Sequence, residues 1–170
     1  MSEPDLQEAQ APLKERYESD PEAARITLSA AGHEQDDVRA CSVEVGQAIY
    51  EAELHEGAGG PGTAACSGDL LLGALAACSQ LTTQAVADSF GVGEAVDIGV
   101  EVEGDLDLRG TLGLDPAVPV GFDDIRMTVT VEGDIDEETL DALRTYSERY
   151  CVVYQTLQQT PGVETVWNRA

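Results

Sequence analysis

Basic side chains are scarce in this sequence. Nine lysines and arginines stand against 33 aspartates and glutamates, which gives a formal net charge of -24, and Lys14 is the single lysine. Surfaces that bind nucleic acids or anionic membranes need clustered Lys and Arg, so neither is expected as a partner. Self-repulsion destabilises such a chain at ordinary ionic strength, whereas multimolar salt shortens the Debye length to roughly 3 Å. We expect a halophilic source, and an acidic surface kept for solubility is the alternative.

Metal-binding patterns and long apolar runs are also missing. Two histidines occur, and the four cysteines, Cys41, Cys66, Cys78 and Cys151, form no C-x-x-C pair, so no metal site and no cofactor is expected. The N-terminus has no apolar targeting region, and no uncharged apolar run is long enough to span a bilayer, although residues 67–90 come closest. We expect a cytoplasmic protein with reduced thiols and no membrane contact.

The length of 170 residues favours one domain. We expect this domain to cover residues 25–170. Residues 1–24 are expected to be a polar N-terminal tail with a short helix, for which Asp20 and Pro21 are the cap and the first helical position.

A long buried helix is predicted over Ser67–Phe90. Apolar residues recur there at three- and four-residue steps with no charge interrupting their run. Ser67 is suited to the N-cap, Asp69 places a carboxylate at the positive end of the helix dipole, and Gly91 is suited to end the helix. We expect this helix to be the centre of the core.

Alternating apolar and polar residues predict strands on both sides of this helix. Before it, strands are expected within residues 25–31 and 37–54, with a turn or bulge at Gly46. After it, strands are expected over 96–103, 106–114 and 125–131, the second of them broken at Gly110, with a loop at 116–121.

A second long helix is predicted over residues 137–159. Asp136 is its expected cap, and Pro161 and Gly162 stop it before a last short strand at 163–167. The resulting order βββ-α-βββ-α-β, with two long helices against mostly antiparallel strands, indicates an α+β fold.

A glycine-rich loop precedes the first long helix. It matches G-x-G-x-x-G at Gly57, Gly59 and Gly62, but Pro61 lies inside the motif and the helix does not open at the third glycine. We therefore expect the loop to let the backbone approach the helix start closely, and not to bind a nucleotide.

Cys78 and Cys151 are the two cysteines on long apolar helical faces. A sheltered thiol pair can reduce a peroxide, because one thiolate attacks the O–O bond and the second thiol traps the resulting sulfenic acid as a disulfide. Inert burial in the core is the alternative for both thiols. Glu148 lies on the same helical face as Cys151 and disfavours its thiolate, so Cys78 is expected to attack and Cys151 to resolve.

Activation of Cys78 is expected to need a positive charge. Cys78 lies about three turns into its helix, beyond the reach of the dipole, and its helical neighbours are uncharged. A cation must therefore come from elsewhere in the fold. The candidates are Arg39, Arg109, Arg126 and Arg149.

The two cysteine segments resemble a known family. The segment GGPGTAACSGDLLLGALAAC, the strands after it and ERYCVVYQTL on the second helix resemble the OsmC/Ohr family of thiol-dependent hydroperoxide reductases. ERYCVVYQTL and CSGD are similar to a less characterised branch. The resemblance covers the element order from Arg25 to Trp167, and it implies an OsmC-like fold and an intertwined homodimer with strands from both subunits in each sheet and reactive sites at the subunit interface.

The resemblance also implies a reaction. Organic or fatty-acid hydroperoxides would be the substrates, Cys78 the peroxidatic thiol, Cys151 the resolving thiol, and a lipoyl-type dithiol or small thiol the reductant, in defence against oxidative stress. Arg39 lies in the early-strand region where Ohr-type members carry an arginine. We expect it to hold the Cys78 thiolate, with Asp69 orienting it.

Three positions depart from the family pattern. Gly68 stands where family peroxidases carry a glutamate, Ala58 where OsmC-type members carry an arginine, and Val152 where a proline follows the second cysteine. The alternative function is therefore a catalytically silent OsmC-like protein that binds an apolar ligand at the dimer interface.

Overall fold

The structure is a computed structural model that describes residues 6–169. Residues 1–5 of the predicted tail and Ala170 lie outside the described residues. The order of elements is α1 (Leu6–Ser19), β1 (Ala30–Glu34), β2 (Ala40–Val45), β3 (Ala48–Glu53), α2 (Ser67–Ser89), β4 (Val96–Asp105), α3 (Leu108–Thr111), β5 (Asp124–Gly133), α4 (Glu137–Tyr150) and α5 (Val152–Gln158), with 3-10 turns at Pro21–Ala24 and Glu56–Ala58. The class is α+β, as predicted.

The chain divides into two compact units. Of the described residues, 6–71 and 104–125 form the first unit, and 72–103 and 126–169 form the second. The sheet β1-β2-β3 belongs to the first unit. The candidate thiols Cys78 and Cys151 both lie in the second.

The sheet of the first unit is an antiparallel meander. β1 pairs with β2 from Ala30↔Val45 onward, and β2 pairs with β3 up to Val45↔Ala48. Gly46 has a φ of +59°, which a residue with a side chain adopts only with strain, and it starts the two-residue turn between β2 and β3. The predicted turn at Gly46 is confirmed.

Two predictions in the N-terminal half differ from the structure. Residues 25–29 form no strand, and the strand starts only at Ala30. The expected short helix is present as the 3-10 turn Pro21–Ala24, with Asp20 at its N-cap position, but the tail before it contains a second, unpredicted element, the 14-residue helix α1, none of whose residues is buried. Glu, Gln, Ala and Leu in this segment are good helix formers, whereas Pro12 inside it is not, so its sequence favours the helix only in part.

The predicted strand at 106–114 is wrong. Residues 108–111 form the short helix α3, and the Asp107 carboxylate caps it by accepting a hydrogen bond from the Arg109 N–H at 2.9 Å. An Asp N-cap satisfies an amide that would otherwise lack a partner, and this local contact overrides the alternation of leucines.

Helix α2 begins and ends as its sequence predicts, with one change at the cap. The Asp69 carboxylate accepts a hydrogen bond from the Cys66 N–H at 2.8 Å, so Cys66, one residue earlier than expected, is the N-cap. At the other end Gly91 has a φ of +74°, its N–H donates to the Asp88 carbonyl, and the Val92 N–H donates to the Ala87 carbonyl. These bonds form a Schellman motif.

The core of the second unit lies between α2, the β4-β5 sheet and α4. Its buried apolar residues are Val86, Ala87 and Leu143, and Val92, Val96 and Ile98 pack against them. β4 alternates half-buried and exposed residues along its whole length, as predicted. Leu81, in contrast, is 68% exposed, so only one face of α2 is covered within the chain.

Two predictions near the C-terminus are wrong. The second long helix is interrupted at Cys151, which separates α4 from α5. Residues 159–169 form no helix or strand, and in the predicted strand Val163 is 84% and Trp167 94% exposed. A strand is stable only beside a hydrogen-bonding neighbour, and no described strand of this chain pairs with the segment.

Helix α2 is also long and apolar enough to cross a membrane by length and composition. Its most apolar 18-residue window has a mean hydropathy of 1.4, and 28% of that window is buried within the chain. The prediction that no apolar stretch is long enough to span a bilayer was therefore too strict. A core helix of a water-soluble fold has the same length and composition, so these two properties do not separate the cases.

Candidate functional site

Cys78 and Cys151 come together in the second unit. Cys78 lies in the middle of α2 and is half-buried, whereas Cys151 is only 1% exposed. The Cys151 thiol donates a hydrogen bond to the Cys78 sulfur. The two sulfurs predicted to work together are therefore neighbours, and the one expected to attack is the more accessible.

Cys151 is held outside both neighbouring helices. Its backbone is extended, with φ -72° and ψ 108°, although its N–H donates to the Ser147 carbonyl at 3.0 Å and its own carbonyl accepts from the Gln155 N–H at 2.9 Å. The same residue thus ends α4 and begins α5. The Cys151 sulfur accepts a hydrogen bond from the Tyr154 N–H at 3.5 Å, in the position of an N-cap side chain.

The break at Cys151 exposes two backbone amides to Cys78. Burial by itself would raise the pKa of the Cys78 thiol. The Val153 N–H, the Cys151 thiol, the Val152 N–H and the Thr82 hydroxyl donate hydrogen bonds to its sulfur, however, and their sum lowers the pKa below its usual value. Donors that favour the charged form have this effect because they stabilise the thiolate more than the thiol.

The donors to Cys78 were not identified from the sequence. A guanidinium was expected beside Cys78, and the donors that lower the pKa of Cys78 are uncharged. Thr82 could have been found, because a residue four positions along a helix lies beside Cys78. The amides of Val152 and Val153 could not have been found, because in a continuous helix they would form hydrogen bonds within the helix. Nothing in the local sequence predicts the break at Cys151.

Three buried hydroxyl groups, from Ser79, Thr83 and Ser147, lie in the same part of the second unit as Cys151. Ser79 Oγ lies 3.3 Å from the Cys151 sulfur, and the Thr83 hydroxyl donates to the Ser79 carbonyl at 2.8 Å. Ser147 Oγ is shielded from solvent and, within the described residues, has no hydrogen-bond partner. A buried hydroxyl without a partner is costly, so Ser147 is the one unsatisfied polar group recorded in this part of the core.

A cavity of about 920 Å³ opens beside these hydroxyls, within the second unit. Its walls come from α2, β5 and α4, and Cys151 lies on its surface. Its apolar lining consists of Met127, Val129, Val131, Leu140 and Leu143. The residues on β5 are two apart and so share one face of the strand.

The candidate arginines each have a partner of their own. The Arg39 Nε and Nη2 donate to the Asp37 carboxylate at 2.6–3.1 Å, and this lowers the pKa of Asp37 to about 2. The Arg109 guanidinium donates to Asp107. Arg126 Nε lies 3.8 Å from Glu103, and the Arg149 guanidinium lies 5.6 Å from the ring centroid of Tyr150.

Asp69 has a structural contact in the first unit. The Cys66 N–H and the Cys66 thiol lower the pKa of the Asp69 carboxyl by hydrogen bonding to it, and His55 adds a smaller favourable charge. Asp69 therefore caps α2, and its recorded contacts are not with Arg39. The catalytic roles of Cys78, Cys151, Arg39 and Asp69 stay predictions.

The glycine-rich loop needs glycine for steric reasons. A Cβ at Gly60 would lie 1.5 Å from the Leu54 carbonyl oxygen, which no side chain permits. This agrees with the expectation of close backbone approach. A Cβ at Gly68, where family peroxidases carry a glutamate, would lie 3.2 Å from Phe122 Cζ, so a side chain there would require Phe122 to shift slightly.

Among residues 6–169, no three side chains of the types that bind metals come close enough to form a metal site. The chemistry that the described arrangement supports directly is that of a thiol pair. Hydrogen bonding lowers the pKa of the Cys78 thiol, and the Cys151 side chain is one of the hydrogen-bonding groups.

Comparison with known proteins places the fold in a family. Residues 60–166 match the sequence pattern of OsmC-like proteins. An OsmC-like protein from Mycoplasma pneumoniae has a similar fold, with a TM-score of 0.64 and 15% identity over 79% of this chain and 89% of that one. No protein with a curated description matches the chain.

Two similar structures carry names that refer to hydroperoxides. An organic hydroperoxide resistance protein OsmC from Legionella pneumophila aligns with a TM-score of 0.55 and 19% identity over 79% of this chain and 90% of that one. OhrB of Bacillus subtilis aligns with a TM-score of 0.51 and 19% identity over 79% and 93%. Identities this low show a shared fold and nothing finer. Since the family pattern covers more than half of the chain, this protein belongs to the OsmC-like protein family.

Proposed function

We propose that this protein is a thiol peroxidase that reduces organic hydroperoxides with Cys78 as the attacking and Cys151 as the resolving sulfur. The observation that carries the proposal is the contact between the two sulfurs, together with the lowered pKa of Cys78. The hydroperoxide resistance proteins among its structural neighbours support the same reaction class.

In the first step the Cys78 thiolate attacks the outer oxygen of ROOH. An S–O bond forms, the O–O bond breaks, and the alkoxide leaves with a proton from solvent as ROH, so Cys78 becomes a sulfenic acid. The amides of Val152 and Val153 and the Thr82 hydroxyl stabilise the thiolate before this step. The accessibility of Cys78 allows the peroxide to reach it.

In the second step the Cys151 thiol attacks the Cys78 sulfenic acid. An S–S bond forms and water leaves, which protects Cys78 from oxidation to the sulfinic acid. An external dithiol of the lipoyl type, or a small thiol, then reduces the disulfide by exchange and is itself oxidised. Over the cycle ROOH and two thiols give ROH, water and one disulfide.

Arg39 remains our candidate for a positive charge near the reactive thiol. Its guanidinium is already oriented by Asp37, which supports a fixed position for it. Replacement by Gln should then slow peroxide reduction, whereas Arg25→Gln, which removes the exposed partner of Glu22, should not. Equal rates in the two variants would remove Arg39 and the positioning role of Asp69 from the proposal.

We further propose that the protein works as a homodimer. Ile49 on β3 and Leu81 on α2 are each 68% exposed, and contact with a second subunit would bury these apolar side chains.

The cytoplasm is the proposed location. The four cysteines are free thiols in the structure, which supports a reducing compartment. The net charge of -24 supports a high-salt cytoplasm in particular.

The experiment is stoichiometric oxidation followed by mass spectrometry of the intact protein and its peptides. One equivalent of cumene hydroperoxide should form an intramolecular Cys78–Cys151 disulfide within seconds. Cys78→Ser should abolish this reaction, Cys151→Ser should trap the sulfenic acid on Cys78, and Cys41→Ser should change neither. Slow oxidation of all four cysteines at similar rates would refute the peroxidase.

A catalytically silent apolar-ligand binder is the second candidate. The cavity on which Cys151 lies favours it, because it offers an apolar wall and buried hydroxyls. The oxidation experiment separates the two candidates, since a binder needs no rapid reaction at Cys78.

A further inference from the structure

The Ser79 hydroxyl is buried against the Cys151 sulfur. Ser79 follows Cys78 on α2, is only 3% exposed, and its Oγ lies 3.3 Å from Cys151 Sγ. Thr83, one helical turn further on, donates its own hydroxyl to the Ser79 carbonyl at 2.8 Å. The contact between Ser79 and Cys151 therefore joins α2 directly to the break between α4 and α5.

Ser79 is the donor in this contact. A thiol has one hydrogen, and the Cys151 thiol directs it to the Cys78 sulfur. The Ser79 hydroxyl therefore donates to the Cys151 sulfur, as the Tyr154 N–H does at 3.5 Å. A hydroxyl is also the stronger donor of the two groups, because an S–H is a weak one. The Cys151 sulfur thus accepts two hydrogen bonds, and Ser79 supplies the one that comes from a side chain.

The charged groups near Cys151 oppose a negative charge on its sulfur. The cavity on whose surface Cys151 lies is also lined by four carboxylates, those of Glu137, Glu138, Asp141 and Glu148. Among the described residues that line this cavity, Arg144 is the single cation, and its Nη2 donates to Asp141 at 2.7 Å. Charge that develops on Cys151 therefore depends on uncharged donors for its stabilisation.

We propose that Ser79 is a positioning residue for the resolving step, whose hydroxyl holds the Cys151 sulfur and stabilises the negative charge that develops there during attack on the Cys78 sulfenic acid. The inference rests on the proposed peroxidase function. In this step the S–S bond forms as the S–O bond of the sulfenic acid breaks, and the Cys151 proton leaves with the hydroxide as water. A hydrogen bond strengthens when its acceptor becomes charged, so the Ser79 hydroxyl favours the transition state over the resting thiol.

Ser79→Val and Ser79→Thr form the test pair, because the two new side chains have the same shape and differ in the hydroxyl. Residue 79 borders the cavity of about 920 Å³, which gives room for the added methyl groups. Each variant is mixed with one equivalent of cumene hydroperoxide and quenched at intervals with dimedone, which labels sulfenic acids. The intact mass then shows the labelled sulfenic acid and the disulfide separately, so the two steps are timed independently.

The expected loss is confined to the second step. Ser79→Val should oxidise Cys78 at the wild-type rate but form the disulfide about three- to tenfold more slowly, as expected for one hydrogen bond to a partly charged acceptor. Ser79→Thr should form the disulfide at close to the wild-type rate. At excess peroxide Ser79→Val should accumulate more sulfinic acid on Cys78 than Ser79→Thr does. Ser89→Ala removes a hydroxyl that donates to the Val86 carbonyl at 2.7 Å on the same helix, and it should change neither step.

A fall of both steps by equal factors in Ser79→Val and Ser79→Thr would indicate a packing role and overturn the proposal. Disulfide formation in Ser79→Val at the wild-type rate would also overturn it, while the peroxidase function would stand. If Ser79→Val does not fold, Ser79→Ala makes the same comparison without added volume. Slow oxidation of Cys78 in the wild type would instead refute the peroxidase function, and the role of Ser79 with it.

Discussion

Thr82→Val removes one of the four groups that stabilise the Cys78 thiolate. The substitution keeps the volume of the side chain and deletes only the hydroxyl that donates to the Cys78 sulfur. Thr83→Val is the matched control on the next position of α2, because the Thr83 hydroxyl donates to the Ser79 carbonyl and not to Cys78.

The size of the effect follows from the hydrogen bond. A bond to a charged group contributes about 1.5–3 kcal/mol, and the lower end applies to the half-buried Cys78, so the thiolate fraction should fall about tenfold at any pH where the thiol form predominates. A more basic thiolate is a better nucleophile, with a Brønsted coefficient of about 0.4–0.5, which recovers about threefold. At such a pH the net rate should fall about threefold.

The assay is the rate at which Cys78 reacts with a small uncharged disulfide, measured for its own peptide by mass spectrometry across pH. Since the folded protein has a lowered Cys78 pKa, the wild type should react faster than the variant below the pH where both are thiolates. Above that pH the variant should be faster by about threefold, so the two profiles cross. Parallel profiles, or the same change in Thr83→Val, would refute the assigned role of Thr82.

Three further predictions concern the same unit. Val152→Pro should keep the fold, because proline suits the first position of a helix and the backbone of Cys151 is already extended. It should slow the reaction of Cys78 at neutral pH, because it removes one N–H donor to the Cys78 sulfur. An unchanged rate would contradict this role of the Val152 amide. Ser147→Ala should raise the free energy of unfolding in urea by about 1 kcal/mol because it removes an unsatisfied hydroxyl, and a loss of stability would show that the hydroxyl has a partner. Gly91→Ala should lower the free energy of unfolding by about 1 kcal/mol because the φ of Gly91 is +74°. Gly73→Ala inside α2, where no atom lies within 4 Å of the added carbon, should raise it by about 0.5–1 kcal/mol. A Gly91→Ala variant more stable than Gly73→Ala would contradict the assignment of Gly91 to the end of the helix.

Local patterns predicted most elements of the fold. The apolar periodicity and Gly91 placed α2 almost to the residue, and alternation placed β4 and β5. Alternation failed at 106–114, where the Asp107 cap produces α3. It also failed at 163–167, because a strand depends on a neighbour that a pattern within the segment cannot supply.

The sequence predicted the two sulfurs of the candidate site but not the groups that surround them. Periodicity placed Cys78 and Cys151 on apolar faces, and the family resemblance paired them. The sequence-based expectation of a cation passed over the Thr82 hydroxyl, which lies one helical turn from Cys78. Every residue except proline has a backbone N–H, so the sequence does not show which amides are free to donate. The N–H groups of Val152 and Val153 could therefore be assigned as donors only from the tertiary structure.

The sequence by itself determined the α+β class, the long central helix with its terminus at Gly91, the family and the two cysteines on which the chemistry depends. These features follow from periodicity, caps and motifs within continuous segments. Only the tertiary structure decided that the second helix breaks at Cys151, that two freed amides meet Cys78, and that a carboxylate-lined cavity opens beside them. Each of these depends on contacts between segments distant in the chain, whose energies no local pattern contains.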